Sequence, residues 1–99
     1  MTVTLDDIIV KKSGQMEANI GSETLMMSVD LGRYYSVSEV GQAIWQEIDR
    51  PIRVSSIVDV LMRSYDVERT ACEEETLRFL NDLMDQHLID RVDDTGAKV

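Results

Sequence analysis

Three short apolar stretches open the chain: Ile8-Ile9-Val10, then Met16, Ala18 and Ile20, then Leu25, Met27 and Val29, the latter two alternating with polar residues. A period of two marks a strand with one buried face. Ser13-Gly14 and Gly21-Ser22 separate the stretches with residues suited to tight turns. The pattern predicts an antiparallel meander of three strands, at residues 7–12, 15–20 and 24–30. From Ser36 the period becomes helical. Val37, Val40, Ile44 and Ile48 share a stripe, with Gly41 and Trp45 beside it, and Ser36 with Glu39 has the spacing of a capping box. That first helix must stop before Pro51.

A second helix, 54–64, places Val54, Ile57, Val58, Leu61 and Tyr65 on one face. A third, 69–87, is capped by Glu68 or by the pair Thr70 and Glu73, and carries Cys72, Thr76, Phe79 and Leu83 on its core face. Leu88-Ile89 can add a short strand. The fold class expected is α+β, winged helix-turn-helix-like, with a three-stranded antiparallel sheet followed by three helices. Residues 1–91 form one domain on this reading, and 92–99 a flexible C-terminal tail.

Ninety-nine residues suit a single core but leave little room for an enclosed active site. The formal charge of -9 repels phosphate, which argues against nucleic acid as a partner. A membrane is excluded as well, because no apolar run is long enough to span one. The N-terminus carries two Asp where an export signal has Lys or Arg, and the single Cys72 cannot pair within the chain, so the expected location is cytoplasmic.

Catalytic chemistry finds few groups. His87 is the only histidine and Cys72 the only cysteine, so no nucleophile–base set is specified. Metal-ligand spacing and a Gly-rich phosphate loop are both missing from the sequence, and no cofactor or metal is implied. The protein is expected not to be an enzyme.

Two features point to binding. The third predicted strand carries Met26 on its second face and has no Pro or Lys to blunt it; at a sheet edge its free N–H and C=O groups would template an added strand. The third helix has a surplus stripe of Leu77, Leu80 and Met84, flanked by Glu73, Arg78 and Asn81, which either lines a groove or packs on the sheet or first helix.

Tyr34-Tyr35-Ser36, EVGQAIWQEID at 39–49, SIVDVLMRSYDVE at 56–68, Cys72 and FLNDLMDQHLI at 79–89 carry a resemblance over residues 5–91. The chain resembles the discrete RiPP recognition elements, the PqqD-like proteins, and most closely the standalone leader-binding proteins of lasso-peptide biosynthesis. The resemblance implies a leader peptide that adds to the third strand and packs on the third helix. By position, the contacts would be Leu25, Met26, Met27, Ser28, Val29 and Asp30 on the strand, and Glu73, Leu77, Arg78, Leu80, Asn81 and Met84 on the helix. Two positions depart from the pattern: Arg53 stands where a capping Thr or Ser is usual, and His87 where Gly ends the helix.

The implied function is non-catalytic: a precursor's leader is held for a partner leader peptidase or other modifying enzyme, by a monomer or weak homodimer. A peptide chaperone for a radical-SAM enzyme in pyrroloquinoline quinone biosynthesis and a winged-helix transcription regulator are the alternatives. The acidic run Glu73-Glu74-Glu75 on the would-be recognition helix counts against the regulator.

Overall fold

The apolar run at the start of the chain does not join the meander that follows it. In the computed structural model, which describes residues 2–95, 97 and 98 and the backbone alone of Ser38, β1 (Ile8–Lys11) lies between two late strands. These are β5 (Ile52–Arg53) and β6 (Ile89–Val92), both antiparallel to it. A strand without alternation suits this central place, and Ile9 is fully buried. The predicted Ser13-Gly14 turn therefore carries the chain from one sheet to another and closes no hairpin.

The second sheet is a meander of β2 (Met16–Ile20), β3 (Glu23–Ser28) and β4 (Arg33–Ser38), in that order. Gly21, with φ of 62°, supplies the left-handed residue of the two-residue β2–β3 turn, across which Ile20 faces Glu23. The expected meander is thus displaced by one strand. Residues 33–38, read above as the approach to a helix, are strand β4, and Leu25–Ser28 is the middle of the sheet. Arg33-Tyr34-Tyr35-Ser36-Val37 alternates weakly because tyrosines fall on both faces, and the later helical stripe masks it.

Helix α1 (Val40–Glu47) starts four residues beyond the expected cap. Its N-cap is Glu39, at φ 52°, with no side-chain bond, so the Ser36–Glu39 capping box does not form. Trp45 is buried on α1 and donates its indole N–H to Glu17 of β2 at 2.6 Å. Lys11 stands over the same ring, 4.6 Å from its centre, and pairs with Glu17 and Asp49. This cluster fastens the second sheet to β1 and to the end of α1.

Helix α2 (Val54–Ser64) buries Val54, Ile57, Val58 and Leu61, as its pattern predicts. Arg53 at its N-cap makes no side-chain cap; instead the Val54 and Ser55 N–H groups donate to the carbonyls of Asp7 and Leu5. The N-terminal segment thereby does the work of a capping Ser or Thr. Helix α3 (Arg69–Asp85) is capped by the Glu68 carboxylate, which accepts from Ala71 N–H at 2.9 Å.

The α3 helix ends in a Schellman pair: Leu88 N–H reaches Leu83 O and His87 N–H reaches Met84 O, with His87 at φ 58°. A non-glycine residue is strained there by roughly 1–2 kcal/mol, partly offset by the greater chain entropy of an unfolded glycine. His87→Gly is therefore expected to stabilise the fold by about 0.5–1 kcal/mol. A raised urea midpoint with an unchanged slope would show this, and a lowered midpoint would refute it.

Among the described residues no helix is long and apolar enough to cross a membrane. Of the expected tail, Gly96 and Val99 lie outside the described residues; Val92 is in β6 and bridges to Lys98.

Candidate functional site

The sheet order decides where an extended chain could dock. β3 is hydrogen-bonded to β2 on one side and to β4 on the other, so Leu25, Met26, Met27 and Ser28 offer no free edge. Met26 and Ser28 also point inward and are 1% exposed, while Leu25 and Met27 lie half-buried on the opposite face. Val29 and Asp30 belong to the following turn, and Asp30 is held there by Lys12 at 3.0 Å and faces His87 at 3.5 Å. Hydrogen bonding to Lys12, more than the nearby His87, draws the Asp30 carboxyl below its usual range. The open edge next to a helix is that of β4, which among the described residues pairs only with β3.

The α3 residues inferred by resemblance divide in a similar way. Leu80 is sealed in the core, Arg78 is exposed, and Glu73 pairs with Arg69. Asn81 is engaged at both ends of its amide: Oδ1 accepts Val3 N–H at 2.8 Å and Nδ2 donates to Leu77 O. Leu77 and Met84 share this side of the helix and pack half-buried against the core. At about 100° per residue, Leu77, Asn81 and Met84 lie roughly opposite Phe79. They therefore belong to the side facing the N-terminal segment, away from β4.

The side of α3 that faces β4 carries Cys72, Glu75, Thr76, Phe79 and Asp82. A Cβ placed on Gly41 would lie 3.2 Å from Val37 of β4 and 3.5 Å from the Phe79 ring, so α1, β4 and α3 converge where a glycine lets them. Lower down, Tyr35 is close enough to Asp82 to feel its charge. Burial, and secondarily that carboxylate, push the Tyr35 hydroxyl above its ordinary pKa. The stripe read in the sequence as purely core-facing thus has a second use as the wall of a slot.

At the Gly41 end the slot opens into a cavity of about 390 Å³. Its walls come from Val40, Gly41 and Ile44 of α1, Leu61 and Tyr65 at the end of α2, and Ala71, Cys72, Thr76 and Phe79 of α3, with Glu68 and Glu75 also lining it. Tyr65, read above as part of the apolar face of the second helix, and Val67 are 38% and 44% exposed and lie on this cavity. The sequence signal for it was the pair of exposed apolar residues in the Tyr65-Asp66-Val67 turn, where polar ones are usual.

A second surface lies on the outer face of the β2–β3–β4 sheet. Period-two alternation and the strand register bring Met16, Ala18, Leu25, Met27 and Tyr34 together there, around a shallow cleft of about 140 Å³. Met16, Ile20 and Tyr34 are 63%, 64% and 69% exposed, an unusual concentration of large apolar groups on one face.

These features define a small α+β domain whose distinguishing element is an open strand edge set against an apolar helix face. The chain belongs to the PqqD family, described as coenzyme PQQ synthesis protein D, whose pattern matches residues 23–89, and it is a PqqD-like RiPP recognition element. Its structure is similar to that of TbiB1 solved in complex with the TbiA(beta) leader peptide, with a TM-score of 0.75 and 26% identity over 81% of this chain and 93% of that one. It also shares its fold with a lasso peptide synthetase B1 solved with a leader peptide, with a TM-score of 0.72 and 16% identity over 82% and 95% of the two chains. Among curated proteins no relative matches.

Thr76 is 2% exposed and lines the cavity. Replacing a hydroxyl by a methyl of the same shape is close to neutral, so Thr76→Val is expected to change the stability of the free protein by less than about 1 kcal/mol. Chemical denaturation measures this, and a loss above about 1 kcal/mol would mean that the hydroxyl has a partner.

Proposed function

We propose that this protein is a non-catalytic adaptor that binds the leader region of a ribosomally made precursor peptide and presents it to a leader peptidase or other modifying enzyme in lasso-peptide maturation. The leader adds as a strand to β4, the third strand of its sheet, and packs on the Cys72/Thr76/Phe79 side of α3. The observation that carries this reading is the free β4 edge beside that helix face. Main-chain hydrogen bonds to β4 set the register, and the cavity beside Phe79 receives a side chain. The leader-bound lasso proteins of similar fold support the lasso assignment over a role in quinone-cofactor synthesis.

The reading includes a winged helix-turn-helix-like arrangement, with α2 and α3 as the helix pair, a recognition domain over residues 1–91 with 92–99 outside it, and a cytoplasmic location. The acidic slot is unsuited to nucleic acid.

The outer sheet face is the docking surface for the enzyme that acts on the bound peptide. A strand added to β4 widens this sheet, and alternate side chains of the peptide then stand beside Tyr34 and Ser36 on the same face. The enzyme thus meets scaffold and substrate as one surface.

Phe79→Asp is expected to weaken a synthetic leader peptide at least tenfold in fluorescence polarisation while the circular dichroism stays native. Leu77→Gln, compared at an equal folded fraction, should change affinity less than threefold. The reverse order would return the slot to the other side of α3. Met16→Asp combined with Tyr34→Asp should leave peptide affinity intact and abolish co-purification with the peptidase; retained co-purification would remove the sheet face from the proposal.

A further inference from the structure

The meander has a second free edge, at β2, on the far side of β3 from β4. Among the described residues β2 pairs with β3 alone, and every one of its residues is exposed. Its register with β3 runs from Met16 opposite Met27 to Ile20 opposite Glu23 without a bulge, and its sequence, MEANI, has neither Lys nor Pro. The usual devices that blunt an edge are missing from it. A two-residue turn closes on a hydrogen-bonded pair, so by alternation Ile20, Ala18 and Met16 direct their main-chain groups toward β3. Those of Glu17 and Asn19 therefore point outward, where among the described residues no other backbone segment meets them. Their side chains stand on the inner face, Glu17 held by the Trp45 indole and Lys11, and Asn19 by the Thr24 hydroxyl. Neither side chain blocks the edge.

We infer that two copies of this protein join antiparallel along β2, about a two-fold axis through Ala18, to make one continuous sheet. The strand is complementary to itself in that register. Glu17 of each copy faces Asn19 of the other, so each pair exchanges main-chain hydrogen bonds and no like charges stand directly opposite. Met16 then faces the second copy's Ile20, and Ala18 faces its own counterpart, in the non-hydrogen-bonded pairs where side chains approach most closely. Two apolar side chains that are 63% and 64% exposed thereby cover one another, and the smallest side chain of β2 lies on the axis. An unrelated strand would match this edge in main chain only, whereas a second copy matches it in side chains as well. Both β4 edges fall at the outer margins of the joined sheet, so the pairing neither uses nor closes the slot. The contact is one short strand a side, and each copy carries a formal charge of -9, so the dimer is transient and strengthens as salt screens the repulsion.

Sedimentation velocity of the intact protein should show a monomer–dimer equilibrium at concentrations on the order of 0.1 mM, shifted toward dimer by added salt. Ala18→Lys and Ala18→Glu each set like charges face to face, and each should weaken self-association about fivefold or more while the circular dichroism stays native. Their equal mixture sets Lys against Glu and should associate to within about twofold of the unaltered protein. Ser36→Lys makes the same charge change in the same cross-strand row, on β4, and should leave the equilibrium within about twofold. An equal loss with Ser36→Lys would move the contact to the outer face or to the β4 edge and overturn the β2 pairing. A mixture no better than either Ala18 variant alone would overturn it too. So would a protein that stays monomeric throughout the concentration series.

Discussion

An unpaired strand edge beside an apolar helix face is the constraint around which this molecule is organised. Backbone N–H and C=O groups strongly favour hydrogen-bonded partners, and an uncapped edge is a standing template for another chain. Near β4, α3 supplies apolar and polar side chains: the Phe79 ring lies with Val37 around Gly41, and Asp82 is close to Tyr35. The two elements can approach because Gly41 has no side chain to hold α1 away from Val37 and Phe79. Polar edge, apolar wall and terminal cavity form one continuous feature.

The remaining structure holds these parts in register. The Trp45–Glu17–Lys11 cluster ties the meander to the first strand, and Leu5 and Asp7 carbonyls cap α2 from the N-terminal segment. Asn81 anchors the same segment to the back of α3, so this helix is packed on one side and presents its other side to the slot. The strained exit at His87 turns the chain at once into β6, whose pairing with β1 closes the first sheet. A helix fixed in this way offers a preformed wall, and preformed sites spend less of their binding free energy on ordering.

In the proposed function two surfaces of the meander have different tasks. On the proposed reading the free edge of β4 recognises main chain, which gives affinity without demanding a particular sequence, while the cavity supplies selectivity. The outer face, rich in Met, Ile and Tyr, does not compete with the edge, because alternate residues of a strand point to opposite sides of the sheet. The proposed peptide capture and the proposed enzyme docking are compatible on one small sheet for this geometric reason.

Much of the architecture was legible from local pattern. The bounds of α2, the Glu68 cap of α3, the Gly21-Ser22 hairpin and the buried stripe of α2 follow from residue chemistry within a few positions. Ile8-Ile9-Val10 announced a strand, but its partners are some forty and eighty residues away, and periodicity holds no information about pairing at that separation. For the same reason Leu25–Ser28 reads as an edge in one dimension and belongs to the middle strand of a sheet in three.

Helix α3 shows the limit most plainly. Its sequence carries two usable stripes, one through Phe79 and one through Leu77 and Met84, and either could face a partner. The close approach of Gly41 to the Phe79 ring on one side, and the Val3 bond to Asn81 on the other, decide between them. Local sequence determined the elements, the turns and the excess of apolar surface over what one core requires. Which edge stayed open, and which helix face met it, was set by tertiary packing, because both depend on residues distant in the chain competing for the same surfaces.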